Sequence, residues 1–301
     1  MVGGGAAGLS AALVLGRARR RTLVVDAGRP SNGVAHGIGG LVGFDGRPPA
    51  DLYAAGRRDL AAYPAVEVRT GEVVAGRRIG AGFVLELADG TREPTRRVLL
   101  ATGMDYRHPQ LDGIAERWGR SVFHCPFCHG WEVRDRPLGV LDSGATAVHR
   151  ALLLRAWSDD VTLYPDGPAG LDAAEAARLT AAGVDIDERR IARLRGPGDA
   201  LTHIVFADGT ERPCGGLLTA VTLHQRTTQA DQLGADAAPA TPLEADGLQV
   251  DAQLSTTTAA GVFAAGDLSG QMQSVANAVA AGSNAAAMVV RSLVDEDFGA
   301  V

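Results

Sequence analysis

"MVGGGAAGLSAALVLGRARRRTLVVDAG", residues 1–28, is a glycine turn, an amphipathic stretch, and a short apolar run from Thr22 to Val25 that ends on Asp26. Strand, turn, helix and strand in that order open a parallel α/β unit. Gly3, Gly5 and Gly8 fit G-x-G-x-x-G, in which the glycines let the backbone approach a pyrophosphate at a helix N-terminus. Asp26 follows at the distance where an acidic residue reaches a ribose hydroxyl, so the stretch predicts dinucleotide binding. The spacing predicts a helix from about Leu9, with Arg17, Arg19, Arg20 and Arg21 complementing the dipole at its end. Only Met1 and Val2 precede the glycines, whereas a buried first strand should run to about five or six residues. A start several codons upstream is the expectation.

Further along, the plan repeats. "LADGTREP" at 87–94 and "FADGTERP" at 206–213 each carry Asp-Gly, a hairpin signal beside strand-like runs such as "FVLEL" and "HIVF". Each is followed by an apolar run, "RVLLATG" or "GGLLTAV". A second glycine turn lies in "LGVLDSGATAVHRALLL" at 138–154, again strand, turn and helix, with the strand "DVTLYP" after it. Near the end, "GVFAAGD" at 261–267 reads as a short strand closing on Gly266 and Asp267. The helical pattern after it, rich in small residues, would aim an N-terminus that can stabilise negative charge on a bound ring.

Composition narrows the function. The chain has 301 residues, 46% apolar and 21% charged, enough to bury real cores. A net charge of -6 excludes a chain-wide basic field, so neither nucleic acid nor an anionic membrane is an expected partner. All 29 basic residues are arginine, which removes Schiff-base lysine chemistry and the P-loop lysine. No run approaches the roughly 20 apolar residues of a membrane span, and the first residues lack a secretory leader, so a cytoplasmic location is expected.

Against that background "HCPFCHGWE", residues 124–132, stands out. Two of the three cysteines, Cys125 and Cys128, fall here, flanked by His124 and His129. A zinc site would need two further ligands; Cys214 with a histidine could supply them, but no second close-spaced pair exists, and no metal is expected. A structural disulfide is disfavoured where thiols are held reduced, and Cys214 reads as a small buried hydrophobe. A thiol pair that passes electrons remains. The thiolate is the reactive form, and an adjacent imidazolium lowers a cysteine pKa, so His129 is the acid-base candidate and His124 the second choice. Pro126 and Phe127 would stiffen the loop between the cysteines, while Trp131 and Glu132 either shape it or simply pack and cap.

Taken together, GGGAAG with Asp26, ATG at 101–103, Cys-x-x-Cys between the two glycine turns, and GVFAAGD resemble the thioredoxin reductase family over essentially the whole chain. The resemblance implies an α/β fold of two Rossmann-like, three-layer nucleotide-binding domains, the second inserted into the first. FAD would be held by residues 1–106 and 247–301, and residues 107–246 would form the pyridine-nucleotide-type domain carrying the cysteines. By that resemblance Gly3, Gly5, Gly8 and Asp26 hold the ADP half of FAD, with Thr102 and Gly103 in the ATG segment. Gly266 and Asp267 meet the ribityl chain, and the backbone at Ser274 and Val275 faces the flavin pyrimidine. Cys128 is the cysteine that meets the flavin and Cys125 exchanges with substrate. Within the family "CPFCHGWE" looks like the branch of dithiol oxidases that close disulfides in gliotoxin-like and holomycin-like products. Ordinary thioredoxin reductases have an aspartate where His129 stands. Homodimerisation is likewise implied by the family.

The second glycine turn departs from a reductase. Where G-x-G-x-x-G/A should begin, the chain has Asp142, Ser143 and Gly144. A carboxylate there competes for the amides that hold a pyrophosphate and repels phosphate. After the next strand "YPDGPAG" offers Asp166 and no adjacent basic residue for a 2′-phosphate, so NAD(P)H binding is doubtful. These readings predict an FAD-dependent dithiol oxidase acting on a small-molecule dithiol, with O2 reoxidising the flavin. A disulfide reductase driven by NAD(P)H or ferredoxin and a flavin-binding redox sensor are the alternatives. The substrate pocket is expected to draw on residues 33–48 and the surroundings of Trp131.

Overall fold

A computed structural model describes residues 1–270 and 272–299. Two compact units are present. One comprises Met1–Gly33, Arg47–Tyr106 and the chain from Thr222 onward, and the other Val34–Gly46 and Arg107–Val221. The second unit thus ends at Val221 rather than at 246, because Thr222–Gln225 pairs with Met104–Arg107 and the chain after it rejoins the first unit.

In the first unit a parallel sheet runs in the spatial order Val66–Thr70, Thr22–Asp26, Val2, Val98–Leu100 and Val262–Ala264. Val2 bridges Val25 on one side and Leu100 on the other, at the centre of the sheet. The first helix covers Ala6–Arg17, three residues earlier than the expected start, with Gly5 at its N-cap. It packs against the last helix, Val275–Phe298, through Ala7, Ala11, Ala281, Ala285 and Ala286, all buried. Small residues are required at this seam: a methyl group on Gly282 would lie 2.0 Å from the Ala7 carbonyl oxygen. An antiparallel meander of Val73–Ile79, Gly82–Leu87 and Arg92–Thr95 belongs to the same unit.

In the second unit the parallel sheet has the order Val184–Ile186, Val161–Tyr164, Leu138–Leu141, Gly216–Thr219 and Val122–Phe123. Its strands are near-continuous apolar runs buried on both faces, as a parallel sheet requires. It carries its own meander of Ile191–Arg195, His203–Phe206 and Glu211–Pro213. The repeat seen in the sequence extends to a shared hydrogen bond. Asp89 accepts from the Thr91 amide at 2.8 Å and Asp208 from the Thr210 amide at 2.9 Å, each closing an Asp-Gly hairpin. The chain is therefore α/β, two nucleotide-binding plans with the second set inside the first. Among the described residues no helix is long and apolar enough to cross a membrane.

Candidate redox site and nucleotide cradles

Cys125 and Cys128 form a disulfide with their Cα atoms 5.4 Å apart. They sit on a helix, Pro126–Val133, rather than in the stiffened loop expected, because Pro126 occupies the first helical turn where its missing N–H costs nothing. Cys125 is the N-cap residue, next to amide donors that favour a thiolate, while Cys128 lies one turn inside. Phe127 and Trp131 are each 65% exposed, so the solvent face of this helix is apolar. Trp131 lies under the Arg134 guanidinium, 3.8 Å from ring centre to Cζ, and Phe127 meets Trp157 edge-on.

The two histidines differ in what they can do. His129 Nε2 is 2.9 Å from the Gly119 carbonyl oxygen. A carbonyl only accepts, so Nε2 carries the proton, and in the neutral ring Nδ1 holds the lone pair. Nδ1 is buried without a hydrogen-bond partner. Burial holds this imidazole below its usual pKa, opposed by the Gly119 carbonyl, the Glu132 charge and the Cys125 carbonyl. The ring stacks on Phe123. His124 stacks on Trp118, and burial, reinforced by His129 and Arg150, pushes its pKa down to about 4. Burial thus works against the imidazolium form of both rings, and the helix N-terminus at Cys125 offers a source of thiolate stabilisation beside the charge-based activation expected from the sequence. Cys214 lies in the core with its thiol donating to the Gly216 carbonyl, and burial pushes its pKa up to about 12. It is remote from metal or redox duty. Among the described residues no group of three or more His, Cys, Asp or Glu is arranged to hold a metal ion.

The first glycine turn is built for close approach. Gly3 has φ +101°, and a methyl group there would strike the Ala101 carbonyl at 2.2 Å, while one on Gly8 would strike the Gly3 carbonyl at 2.1 Å. Gly5 faces open space at the helix N-terminus, the side from which a pyrophosphate would come. Asp26 ends its strand with one carboxylate oxygen accepting from the Gly28 amide at 3.0 Å and the other paired with Arg57 at 2.5 Å. Arg57 comes from the helix Pro49–Leu60 and carries no signal in the sequence. Thr102 and Gly103 follow the strand Val98–Leu100, with Gly103 at φ +65°. Gly266 and Asp267 open a 3-10 turn, where Asp267 is half-buried and accepts from the Tyr106 hydroxyl at 2.8 Å. Desolvation raises the Asp267 pKa, with Tyr106 and Arg226 opposing it. Ser274 caps the last helix by accepting from the Asn277 amide, and Val275 is the first helical residue. Gly3, Gly5, Gly8, Asp26, Thr102, Gly103, Gly266, Asp267, Ser274 and Val275 all fall in the first unit. A cradle that side chains would fill, a half-buried carboxyl and an uncovered helix N-terminus fit FAD, which these residues would hold.

The second turn is different. Asp142 accepts from the Ser143 amide at 2.9 Å and the Thr146 hydroxyl at 3.1 Å, and pairs with Arg150. Arg150 offsets much of the repulsion expected of that carboxylate; the occupied Ser143 amide remains. Asp166 also has a basic neighbour, contrary to the reading of the strand end. Arg190, far along the chain, lies 3.7 Å from it, while the Ile191 amide donates to the other carboxylate oxygen. Pro109, Leu111, Asp142, Ser143 and Asp166 line a cleft of about 200 Å³ here.

A vicinal thiol pair beside a neutral histidine, in a chain with two nucleotide-binding plans, defines a disulfide oxidoreductase. The chain belongs to the pyridine nucleotide-disulphide oxidoreductase family, which it matches over residues 1–282, and membership implies flavin binding. It is similar to the thioredoxin reductase tcpT of Claviceps purpurea, 31% identical over 98% of this chain and 93% of that protein. The thioredoxin reductase aclD of Aspergillus oryzae is also 31% identical, over 99% of this chain and 96% of its own. Among solved structures, an oxidoreductase from Agrobacterium tumefaciens is 36% identical with a TM-score of 0.91 over 97% of both chains. HlmI is 36% identical with a TM-score of 0.90 over 98% of this chain and 92% of its own.

Proposed function

We propose that the protein is an FAD-dependent dithiol oxidase that closes a disulfide in a small-molecule dithiol. One substrate thiol, entering as its thiolate with its proton passed to His129, attacks the Cys125 sulfur. The Cys125–Cys128 bond breaks, and Cys128 leaves with the electron pair and takes the proton back from His129. The second substrate thiol, giving its proton to His129, then attacks the substrate sulfur of the mixed disulfide, releasing a cyclic disulfide and the Cys125 thiolate that the helix N-terminus favours. FAD, when bound, supplies the two-electron acceptor that returns the pair to the disulfide, with molecular oxygen as final acceptor and hydrogen peroxide as product. His124, neutral across the working range, keeps water and charge away from the pair.

Asp142 carries the choice of direction. Its carboxylate already holds the Ser143 amide that a nicotinamide pyrophosphate would need. Arg190 does not restore a 2′-phosphate site, because Asp166 matches its charge. A second reading has a specific support: relatives covering nearly the whole chain are named thioredoxin reductases. In that reading electrons enter from NAD(P)H or ferredoxin and leave through Cys125 to a disulfide. A redox sensor would retain the pair and turn over poorly. The oxidase works in the cytoplasm as a homodimer on this proposal, with neither nucleic acid nor membrane as partner.

Anaerobic stopped-flow absorbance at the oxidised flavin band separates these readings. The oxidase is expected to bleach with a small dithiol, to ignore NADH and NADPH, and to recover its colour with peroxide release when oxygen is admitted. Fast bleaching by either nicotinamide overturns it in favour of the reductase, and bleaching without repeated turnover in oxygen points to the sensor.

A further inference from the structure

The helix Pro49–Leu60 lies in the first unit and has no part in the glycine motif, yet one face of it is turned to the acid that completes that motif. It packs on the first helix and on the strand Thr22–Asp26 through Tyr53 and Leu60, which share a core with Leu9, Ala12 and Val24. The two helices meet closely, since a methyl group on Gly56 would lie 3.0 Å from Leu9 Cδ1. Tyr53 and Arg57 are four residues apart and therefore share a face. The Tyr53 hydroxyl donates to Asn32 Oδ1 at 2.6 Å. Burial pushes its pKa up to about 12 against the pull of that bond, and the Asp267 and Asp26 charges add to the rise, so the hydroxyl stands within electrostatic reach of both acids of the FAD cradle. One turn on, Arg57 donates to Asp26 Oδ2 at 2.5 Å. Asp26 is thereby fixed on three sides: its other oxygen accepts from the Gly28 amide at 3.0 Å, and a methyl group on Gly4 would lie 2.7 Å from its Cγ.

We propose that Arg57 is a positioning residue of the cofactor site, acting through Asp26 to hold the adenosine end of FAD. The inference rests on FAD occupying the first unit, which the oxidase, the reductase and the sensor share. An ionised carboxylate offers about four acceptor sites. With Gly28 and Arg57 each taking one, both oxygens keep a lone pair for the ribose hydroxyls. Without Arg57, Oδ2 loses its anchor, and the ribose would have to order the carboxylate as it binds. Charge leads the same way. FAD brings a pyrophosphate to a cradle that already holds Asp26 and Asp267, and like charges in a poorly solvated site oppose one another. No side chain before Arg17 carries a charge, so the first helix meets the phosphates with its dipole and amides. Paired with Arg57, Asp26 accepts from the ribose without presenting an unbalanced charge to the phosphates.

The test is the affinity for FAD, read by ultrafiltration of the full-length protein with added FAD, and by displacement with ADP, which carries the adenosine and the pyrophosphate without the flavin. Circular dichroism and thermal melting check folding. Arg57→Gln is expected to raise the FAD Kd at least about tenfold, the loss of one charge-assisted hydrogen bond, and to weaken ADP by the same factor. Arg58→Gln removes the same charge from the next position of the helix and should leave both affinities within about twofold of the wild type. A double-mutant cycle separates positioning from a merely structural role. In an Asp26→Asn background, where Arg57 has no carboxylate to hold, Arg57→Gln should shift the FAD Kd by less than about twofold. A structural role for the helix gives the same factor in both backgrounds. An additive cycle, or an FAD Kd unchanged in Arg57→Gln, overturns the proposal, as does an equal loss in Arg58→Gln. A wild type that binds no FAD overturns the cofactor assignment along with it. Neither oxygen, dithiol nor nicotinamide enters the measurement, so its outcome is independent of the flavin-bleaching result.

Discussion

On the proposed reading His129 is the residue whose protonation the chemistry uses, and its hydrogen bond to Gly119 places the proton of the neutral ring on Nε2. Because burial depresses its pKa, the free base persists below the ordinary imidazole range. The rate of dithiol oxidation is therefore expected to be flat through neutrality and to fall only on the acid side of pH 6.5, the ordinary imidazole value. His129→Gln keeps a donor for Gly119 but has no base, and should lower the exchange rate about 10² to 10⁴-fold while the acid limb disappears. A limb that survives in the variant would assign the base elsewhere. His124 makes a separate prediction, about stability. Its folded pKa near 4 lies below the unfolded 6.5, so the unfolded chain binds more protons between those values. Stability is thus complete above pH 6.5 and declines as pH falls toward 4, by on the order of 3 kcal/mol at the limit. His124→Phe should flatten that decline in thermal denaturation between pH 7 and pH 5, whatever it does to activity. The cysteines and both histidines were legible in the sequence because they share one short run. Their electrostatics were not, since the burial that neutralises the histidines comes from residues such as Trp118 and Phe123 that carry no label of their role.

At the scale of the element, the first glycine turn separates two uses of glycine that look alike in a motif. Gly8 stands against the Gly3 carbonyl, and Gly5 stands in the open. Gly8→Ala should cost roughly 1–3 kcal/mol of stability as an overpacked contact, and lose flavin with the fold. Gly5→Ala should keep its melting temperature as apoprotein, yet lower flavin retention, because its methyl group enters only the space reserved for the pyrophosphate. Absorbance after gel filtration and calorimetry on the apoproteins measure the two effects separately; equal melting temperatures for both variants would sink the distinction. The first turn, the hairpins and the last helix were legible because their periodicity and turn residues are local. The redox helix was not, since Pro126 reads as a loop-stiffener until its place in the first helical turn is known. Nor does anything local to 34–46 say that its partners are Arg120 and Asp199. Likewise Arg57 finds Asp26, and Arg190 finds Asp166, only through the folded backbone.

Across the whole molecule, one plan occurs twice with one decisive change. The position that is Gly3 in the first unit is Asp142 in the second and that of Gly8 is Ala147, while Gly5 keeps its counterpart in Gly144 and the two Asp-Gly hairpins share a hydrogen bond. In the first unit a side chain there is forbidden by the Ala101 carbonyl; in the second the side chain is present and occupies the amide next to it. The two units share scaffold signals that are local and repeated, whereas the ligand contacts rest on single positions, so fold was easier to read than direction of electron flow. Asp142→Gly restores the missing element of the turn. It frees the Ser143 amide and releases Arg150, whose charge then favours a phosphate instead of opposing a carboxylate. We expect the variant to bind NADH at least about tenfold more tightly than the wild type by equilibrium fluorescence titration, since a recovered charge-assisted contact contributes about 1.5–3 kcal/mol. NADPH should gain less, because Asp166 can accept from a ribose hydroxyl but repels a 2′-phosphate and already matches Arg190. Should the wild type bind either nucleotide tightly, Asp142 is no barrier. Should Asp142→Gly stay folded and gain nothing, the block lies deeper in the cleft than this one carboxylate.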